Sequence, residues 1–140
     1  MERWVIFAII SMAFAGFTSV IAKQGLTGIT AELGLAVRTC FVFVFVLGFA
    51  AFAVPREQMS TLTRNNLVWL GLSGVTTAVS WVFYYKALKL GEVSTVALID
   101  KGSFIVAVML AWLILGERMT LRIAIGSLFI LAGLVIVSRR

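Results

Sequence analysis

Five long apolar runs constrain the fold of this chain more than any other feature. They cover Trp4–Ala22, Ala31–Val54, Leu67–Leu88, Ser94–Leu115 and Leu121–Ser138. A helix needs about 20 mostly apolar residues to cross a hydrocarbon core of roughly 30 Å, and each run is close to that length. The sequence therefore predicts an all-α membrane protein of five transmembrane helices, forming a single domain over residues 1–140 with the lipid bilayer as its surroundings.

The composition supports the same interpretation. Hydrophobic residues make up 61% of the 140 residues and charged residues 13%, against about 45–50% and about 25% in soluble domains. A soluble fold of this size could not hide so much apolar surface. The net charge of +6 would suggest nucleic-acid binding in a soluble protein, but here the basic residues lie mostly at the ends of the apolar runs. That position favours topology and headgroup contact, so no nucleic-acid partner is expected.

Several classes of active site are excluded. The chain has one cysteine, Cys40, and no histidine, which rules out histidine-based triads and zinc sites and any intrachain disulfide. No set of nucleophile and base is present. We therefore expect no catalytic residue, no metal, no cofactor and no enzyme activity.

The connections between the runs carry residues that stop and cap helices. Gly91 is expected to stop helix three and Ser94 to cap helix four, and Gly116 and Thr120 to do the same at the next connection. The first run has a weak signal-peptide pattern at Ala13-Phe14-Ala15. An uncleaved span is favoured, because the apolar run continues past that site.

Small residues and phenylalanines mark the helix faces. Helix three carries Gly71 and Gly74, helix five carries Gly126 and Gly133, and small faces of this kind let membrane helices approach closely. Helix two instead carries many phenylalanines and is interpreted as a lipid-facing helix. Those phenylalanines are Phe41, Phe43, Phe45, Phe49 and Phe52.

Three ionisable residues, Arg38, Asp100 and Lys101, lie well inside the predicted spans. Such residues are costly in a membrane and usually face a cavity or a partner. Asp100 is about 9 Å past Ser94 and Arg38 about 12 Å past Thr30 at the helical rise. Helices two and four start from the same side, so an Arg38–Asp100 pair is geometrically possible.

Three interpretations of Arg38 and Asp100 remain open. The pair locks helix two to helix four, or it acts in ion coupling or substrate recognition, or the two residues never meet. Asp100 and Lys101 are neighbours that point about 100° apart on a helix and are not expected to pair. Lys23, Tyr84, Tyr85 and Lys86 come out on the side of Lys101. The sequence thus predicts a basic vestibule with Arg38, Asp100, Lys101, Tyr84 and Lys23 along a transport or ion pathway.

Several segments resemble EamA-type transporters of the drug/metabolite transporter superfamily. The segment 81–91, WVFYYKALKLG, is similar to the third-helix signature of that family. The segment 115–120, LGERMT, is similar to its "LGE" turn, and 126–137 to its closing helix. Three shorter segments resemble the short, five-helix branch. They are AKQGL at 22–26, AVRT at 36–39 and VALIDKGS at 96–103, beside that branch's "AKLGL", "ALRT" and "VAPIDKLS".

The chain departs from the pattern of that branch at two positions in helix four. Leu98 stands where the branch has a proline, and Gly102 where it has a leucine. A proline at position 98 would loosen the helix just before Asp100. Its absence argues against a broken helix here, although Gly102 leaves some slack.

The resemblance implies a small-molecule secondary transporter, for a metabolite or a drug, in the cell (inner or plasma) membrane. Many relatives have ten helices arranged as two inverted five-helix halves. This chain would be one half, and the substrate path would lie between two copies. The alternative is a non-transporting scaffold or regulatory subunit of another membrane complex.

The distribution of cations bears on the arrangement of such a homodimer. Five spans place the termini on opposite sides, and the excess of Lys and Arg normally sets the orientation. When Arg38 and Lys101 are left out, each side of the membrane receives five cations, so no excess selects one orientation. The chain is therefore expected to insert in both orientations and to form an antiparallel homodimer. A parallel dimer or a separate partner is the alternative. One side receives Arg3, Arg56, Arg64, Arg118 and Arg122, and the other Lys23, Lys86, Lys89, Arg139 and Arg140.

Overall fold

The computed structural model describes residues 2–138, and these residues form helices and turns without a strand. The helices are α1 (Arg3–Gly25), α2 (Ala31–Ala53), α3 (Arg56–Met59), α4 (Arg64–Leu90), α5 (Val93–Asp100), α6 (Ser103–Ile114) and α7 (Leu121–Ser138).

Five segments are long and apolar enough to cross a membrane. They are α1, α2, α4, the segment Val93–Ile114 that contains α5 and α6, and α7. The five predicted spans are therefore confirmed. The structure adds α3, a single turn that follows Pro55 in the polar connection between the second and third spans. It also begins α4 at Arg64 rather than at Leu67.

The helix ends confirm some of the predicted punctuation and correct one part of it. The hydroxyl of Thr120 accepts a hydrogen bond of 3.3 Å from the backbone N–H of Ile123 at the start of α7. Gly116 has a φ of +67°, a conformation that glycine adopts without the penalty other residues incur. The expectation that Ser94 caps helix four is wrong. The helix starts at Val93, so the N-cap position lies at Glu92, two residues before Ser94, and the Glu92 side chain makes no capping bond.

The fourth span is interrupted at Lys101–Gly102, between α5 and α6. The N–H of Gly102 bonds to the carbonyl of Ile99 at 2.9 Å, and that of Ile105 bonds to the carbonyl of Gly102 at 3.0 Å. These i→i−3 bonds tighten the backbone locally, as in a 3₁₀ turn, a pattern that often marks hinges inside helices. Lys101 and Gly102 keep right-handed helical dihedrals, with φ −64° and ψ −12° at Lys101 and φ −59° and ψ −20° at Gly102. The helix is therefore tightened here without unwinding, which agrees with the argument from Leu98 against a broken helix.

The chain divides into two compact units. Ala22–Leu90 forms one, here called the central unit, and residues 2–21 together with residues 91–138 form the other, here called the terminal unit. In the central unit α2 packs against α4. Its buried apolar residues are Leu26, Ala31, Tyr85 and Leu88.

In the terminal unit α5 packs against α7. A Cβ added at Gly102 would lie 3.2 Å from Cδ1 of Leu134 and 3.0 Å from the carbonyl oxygen of Ile99. The interrupted turn of the fourth span is thus in close contact with α7, and a glycine is what permits this approach.

Most apolar side chains of the spans are exposed on the described chain. The five phenylalanines of α2 are 61–95% exposed and lie on a helix, which agrees with a surface that meets lipid. Four glycines of the small faces have open space beside them among residues 2–138. A Cβ added at Gly71, Gly74, Gly126 or Gly133 would meet nothing within 4 Å.

Candidate functional site

Arg38 lies against two aromatic rings of α4. Its guanidinium carbon is 4.2 Å from the centre of the Trp81 ring and 5.9 Å from that of Tyr85. Trp81 and Tyr85 are four residues apart, so their side chains share one face of α4. A cation over an aromatic face is attracted by the ring quadrupole, by about 2 kcal/mol or more where water is excluded. The α2–α4 contact therefore provides part of the stabilisation that a charge inside a span requires.

The hydrogen-bonding needs of Arg38 are not fully met. Its Nη1 is buried, and among residues 2–138 it has no hydrogen-bond partner. An unmet buried donor on a charged group costs several kcal/mol. An acceptor from a bound molecule or another chain would relieve this cost, so Arg38 is the strongest candidate recognition group in the described chain.

A cleft of about 520 Å³ lies between α2 and α4, and Trp81 forms part of its wall. The hydroxyls of Thr39 and Thr77 donate to carbonyls of their own helices, at Leu35 and Ser73, each at 2.8 Å. These hydroxyls are satisfied within their helices, so the wall is mainly apolar. The lining residues are Leu35, Thr39, Leu70, Ser73, Gly74, Thr77, Ala78, Trp81 and Val82.

Two lysines of the central unit, Lys23 of the predicted vestibule and the nearby Lys89, have partners inside the protein. Lys23 donates to the carbonyl oxygen of Leu88, and Lys89 donates to that of Leu26 at 2.8 Å. The two bonds are reciprocal, because each lysine reaches from the end of one helix to the end of the other. Cations at helix C-termini are favoured by the helix dipole. Lys23 thus has a structural contact in addition to its expected place along a pathway.

Two further vestibule residues are also engaged. Lys86 and Glu32 form an ion pair of 3.3 Å that is largely exposed. Tyr84 lies edge-on to Tyr85, with 6.4 Å between ring centres and an interplanar angle of 63°. Tyr84 therefore borders the ring that faces Arg38.

Asp100 and Lys101 lie in the terminal unit, at the interruption of the fourth span. Nζ of Lys101 is 4.0 Å from Oδ2 of Asp100, and the side chains are 58% and 38% exposed respectively. The expectation that these neighbours do not pair is wrong. α5 ends at Asp100, and the long, flexible lysine side chain can fold back towards the carboxylate. The contact is at the outer limit of an ion pair and is weak.

The five predicted site residues therefore belong to two groups. Arg38, Tyr84 and Lys23 are in the central unit, whereas Asp100 and Lys101 are in the terminal unit. The Arg38–Asp100 pair, which would join the two units, stays a prediction.

The sequence analysis did not single out Trp81 as a functional residue. A usable signal was present, since Trp81 and Tyr85 repeat at a spacing of four in the helix that follows Arg38. Aromatic rings on one helix face are common neighbours of an intramembrane cation.

Comparison with known proteins identifies the family of this chain. Residues 2–139 match the EamA-like transporter family. A curated protein of Sinorhizobium sp, named as an uncharacterized transporter in the cobO 3' region, is 33% identical over 132 residues, which cover 94% of each chain. No solved structure matches the chain.

These matches point to a transporter rather than an enzyme. They span almost the whole chain and include all five membrane-type segments. The chain is a multi-pass membrane protein that belongs to the EamA-like transporter family.

Proposed function

We propose that this chain is a secondary transporter of a small molecule, a metabolite or a drug, in the cell membrane. The observation that carries the proposal is the interruption of the fourth span at Lys101–Gly102, directly after Asp100. Ionisable residues inside membrane spans mark substrate and ion pathways, and a tightened turn inside a helix often marks a functional hinge. A purely structural span has no need of either feature.

The five predicted residues have distinct roles in this proposal. Asp100 carries the coupling proton, and Arg38 recognises substrate charge. Lys101 and Lys23 make the pathway entrance positive, and Tyr84 supports the aromatic surface beside Arg38. The Arg38–Trp81 contact supports this assignment, because it holds the guanidinium in place without neutralising it.

The proposed transport unit is a homodimer with its substrate path between two copies, each a single five-helix domain equivalent to half of a ten-helix inverted-repeat transporter. The open glycine faces of α4 and α7 support an interface outside the chain. The tie in cation number supports an antiparallel arrangement. Two of the counted cations, Arg139 and Arg140, lie outside the described residues.

A scaffold or regulatory subunit is the second candidate. The reciprocal lysine bonds at Leu26 and Leu88 favour it, because they use Lys23 of the predicted vestibule, together with Lys89, for structure. A transporter and a scaffold differ in whether solute crosses the membrane.

Reconstitution separates the two candidates. Purified protein in liposomes is exposed to a metabolite mixture under an imposed pH gradient, and the contents are analysed by mass spectrometry. A transporter enriches at least one solute relative to protein-free liposomes. A scaffold leaves the contents of both preparations identical.

A further inference from the structure

A recess of about 220 Å³ lies between α6, the connection 115–120 and α7 in the terminal unit. Its wall is mainly apolar and includes Ala111 and Trp112 of α6 and Ile123 of α7. Two residues of opposite charge, Glu117 and Arg118, also line it. The recess is smaller than the roughly 300–1,000 Å³ of sites that enclose a drug-sized ligand, so it suits one end of a longer molecule.

The turn that leads into the recess sets the position of the two charges. Gly116 has a left-handed backbone with a φ of +67°, and the N–H of Glu117 bonds to the carbonyl of Ala111 at 3.2 Å. The chain therefore folds back against α6 at the end of the fourth span. Glu117 and Arg118 follow at the membrane surface, because they lie in the connection between two spans. Among residues 2–138 neither side chain has a hydrogen bond or an ion pair, so both charges are available to a ligand.

We infer that this recess binds a membrane phospholipid whose headgroup carries a phosphate and a primary ammonium, as in phosphatidylethanolamine. The phosphate lies against Arg118 and the ammonium against Glu117, while the first part of an acyl chain lies along the apolar wall. This inference does not depend on the proposed transport function.

The charges of the lining favour this headgroup over other common ones. A guanidinium binds phosphate oxygens through its fork of N–H donors, and an ionised carboxylate only accepts hydrogen bonds, so it needs a donor as its partner. A primary ammonium supplies such donors, whereas the quaternary ammonium of phosphatidylcholine has none. An anionic lipid such as phosphatidylglycerol would satisfy Arg118 but would leave Glu117 beside a negative charge.

The position of the apolar wall favours a lipid over a soluble molecule. The lining positions of α6 run from Ala107 to Trp112, a length of about 7.5 Å at the helical rise, from the membrane interior towards the connection. Trp112 is 55% exposed, and tryptophan is enriched at the level of the lipid headgroups. A lipid bound here keeps its chains in the bilayer and places only its headgroup beside the two charges.

The test compares three phospholipids that have the same acyl chains. The wild-type chain is purified in detergent micelles that contain equal amounts of phosphatidylethanolamine, phosphatidylcholine and phosphatidylglycerol, and native mass spectrometry measures the lipid that stays bound. We expect phosphatidylethanolamine to be retained about threefold to fivefold over each of the others, as for an ion pair near solvent. Soluble glycerophosphoethanolamine at the same concentration should not displace the lipid, because it has no chain to lie against Trp112.

Two variants and their controls assign the preference to the recess. Glu117→Gln should remove the preference for phosphatidylethanolamine over phosphatidylglycerol, and Arg118→Gln should lower the retention of both. Glu57→Gln and Arg56→Gln are the matched controls, since these adjacent charges lie in another connection on the same side of the membrane and do not line the recess. Both controls should retain the three lipids as the wild-type chain does.

Four results would overturn the inference. They are equal retention of the three lipids, preferential retention of phosphatidylglycerol, a preference that survives Glu117→Gln or is lost equally in Glu57→Gln, and displacement of the lipid by glycerophosphoethanolamine. The last would make a soluble phosphate compound the ligand. The comparison of lipids on the wild-type chain needs no substitution, so it decides the inference even if a variant fails to fold.

Discussion

The guanidinium carbon of Arg38 lies 4.2 Å from the centre of the Trp81 ring, so a positive charge inside a membrane span rests on an aromatic face. This contact joins α2 to α4 and places a charged donor beside an apolar cleft. The contact therefore connects the packing of the central unit with the proposed role of Arg38 in recognising substrate charge.

Replacing Trp81 with Leu should destabilise the protein in detergent by about 0.5–2 kcal/mol beyond the loss of packing, because the cation–π contact disappears. Trp69→Leu is the control, since Trp69 lies on the same helix and is 62% exposed. The measurement is chemical unfolding of both variants with and without Arg38→Gln. A Trp81→Leu cost that is the same in both backgrounds would rule out an energetic contact between the two residues.

Arg38 and Asp100 should be coupled in stability. Removing one partner of a buried ion pair costs about 3–5 kcal/mol of folding stability. Because the Asp100 side chain is 38% exposed, we expect the loss in Asp100→Ala to lie at or below the lower end of that range. The comparison is Arg38→Ala, Asp100→Ala and the double variant by thermal unfolding in detergent. Losses that add strictly would argue against the pair. Arg38→Ala with Arg122→Ala provides an additive reference.

Gly34→Ala should destabilise the central unit. A Cβ at Gly34 would overlap Cδ2 of Leu26, which is 2% exposed and has little room to move. Overpacking of this kind costs about 1–3 kcal/mol. Gly48→Ala, on the same helix with open space at its Cβ, should instead be neutral or stabilising by up to about 1 kcal/mol. Equal stability of the two variants would show that the loop at Leu26 yields freely.

Reporter fusions at the C-terminus should reveal both membrane orientations. With cations tied at five on each side, no excess of Lys and Arg selects one orientation. A reporter active only inside the cell and another active only outside should therefore both give signal. Signal from a single reporter would exclude dual insertion and leave a parallel dimer or an oppositely oriented partner.

The sequence predicted the spans well because their signal is local. Long apolar runs, Gly116 and Thr120 determine where helices begin and end through neighbouring residues alone. The interruption at Gly102 was harder to anticipate. The tight turn there lies against Leu134 of another helix, a contact between helices that the absence of a proline at position 98 does not indicate.

Side-chain partners were predicted less well than helices. The contact of Arg38 with Trp81 depends on how α2 and α4 are rotated about their axes relative to each other. The sequence of one apolar run does not determine that rotation. Lys23 and Lys89 reach carbonyls in distant turns because their side chains are long and flexible. The positions of these lysines at the ends of the apolar runs indicated that they share one side of the membrane, but did not indicate these internal bonds.

Solute accumulation driven by a pH gradient tests the central claim, that the chain is a secondary transporter. The experiment uses liposomes that contain the wild-type chain, liposomes that contain Asp100→Asn, and protein-free liposomes. The variant keeps the size and polarity of the side chain but cannot exchange a proton, so we expect it to fold and to lose dependence on the gradient. Unchanged gradient-driven uptake by Asp100→Asn would refute only the coupling role of Asp100 and not the transport function.

The wild-type arm of that measurement decides the claim itself. We expect the internal solute concentration to rise above the external one while the pH gradient lasts, and to fall back when a protonophore collapses it. Solute entry that is no faster than in protein-free liposomes, with and without the gradient, would contradict secondary transport by this chain.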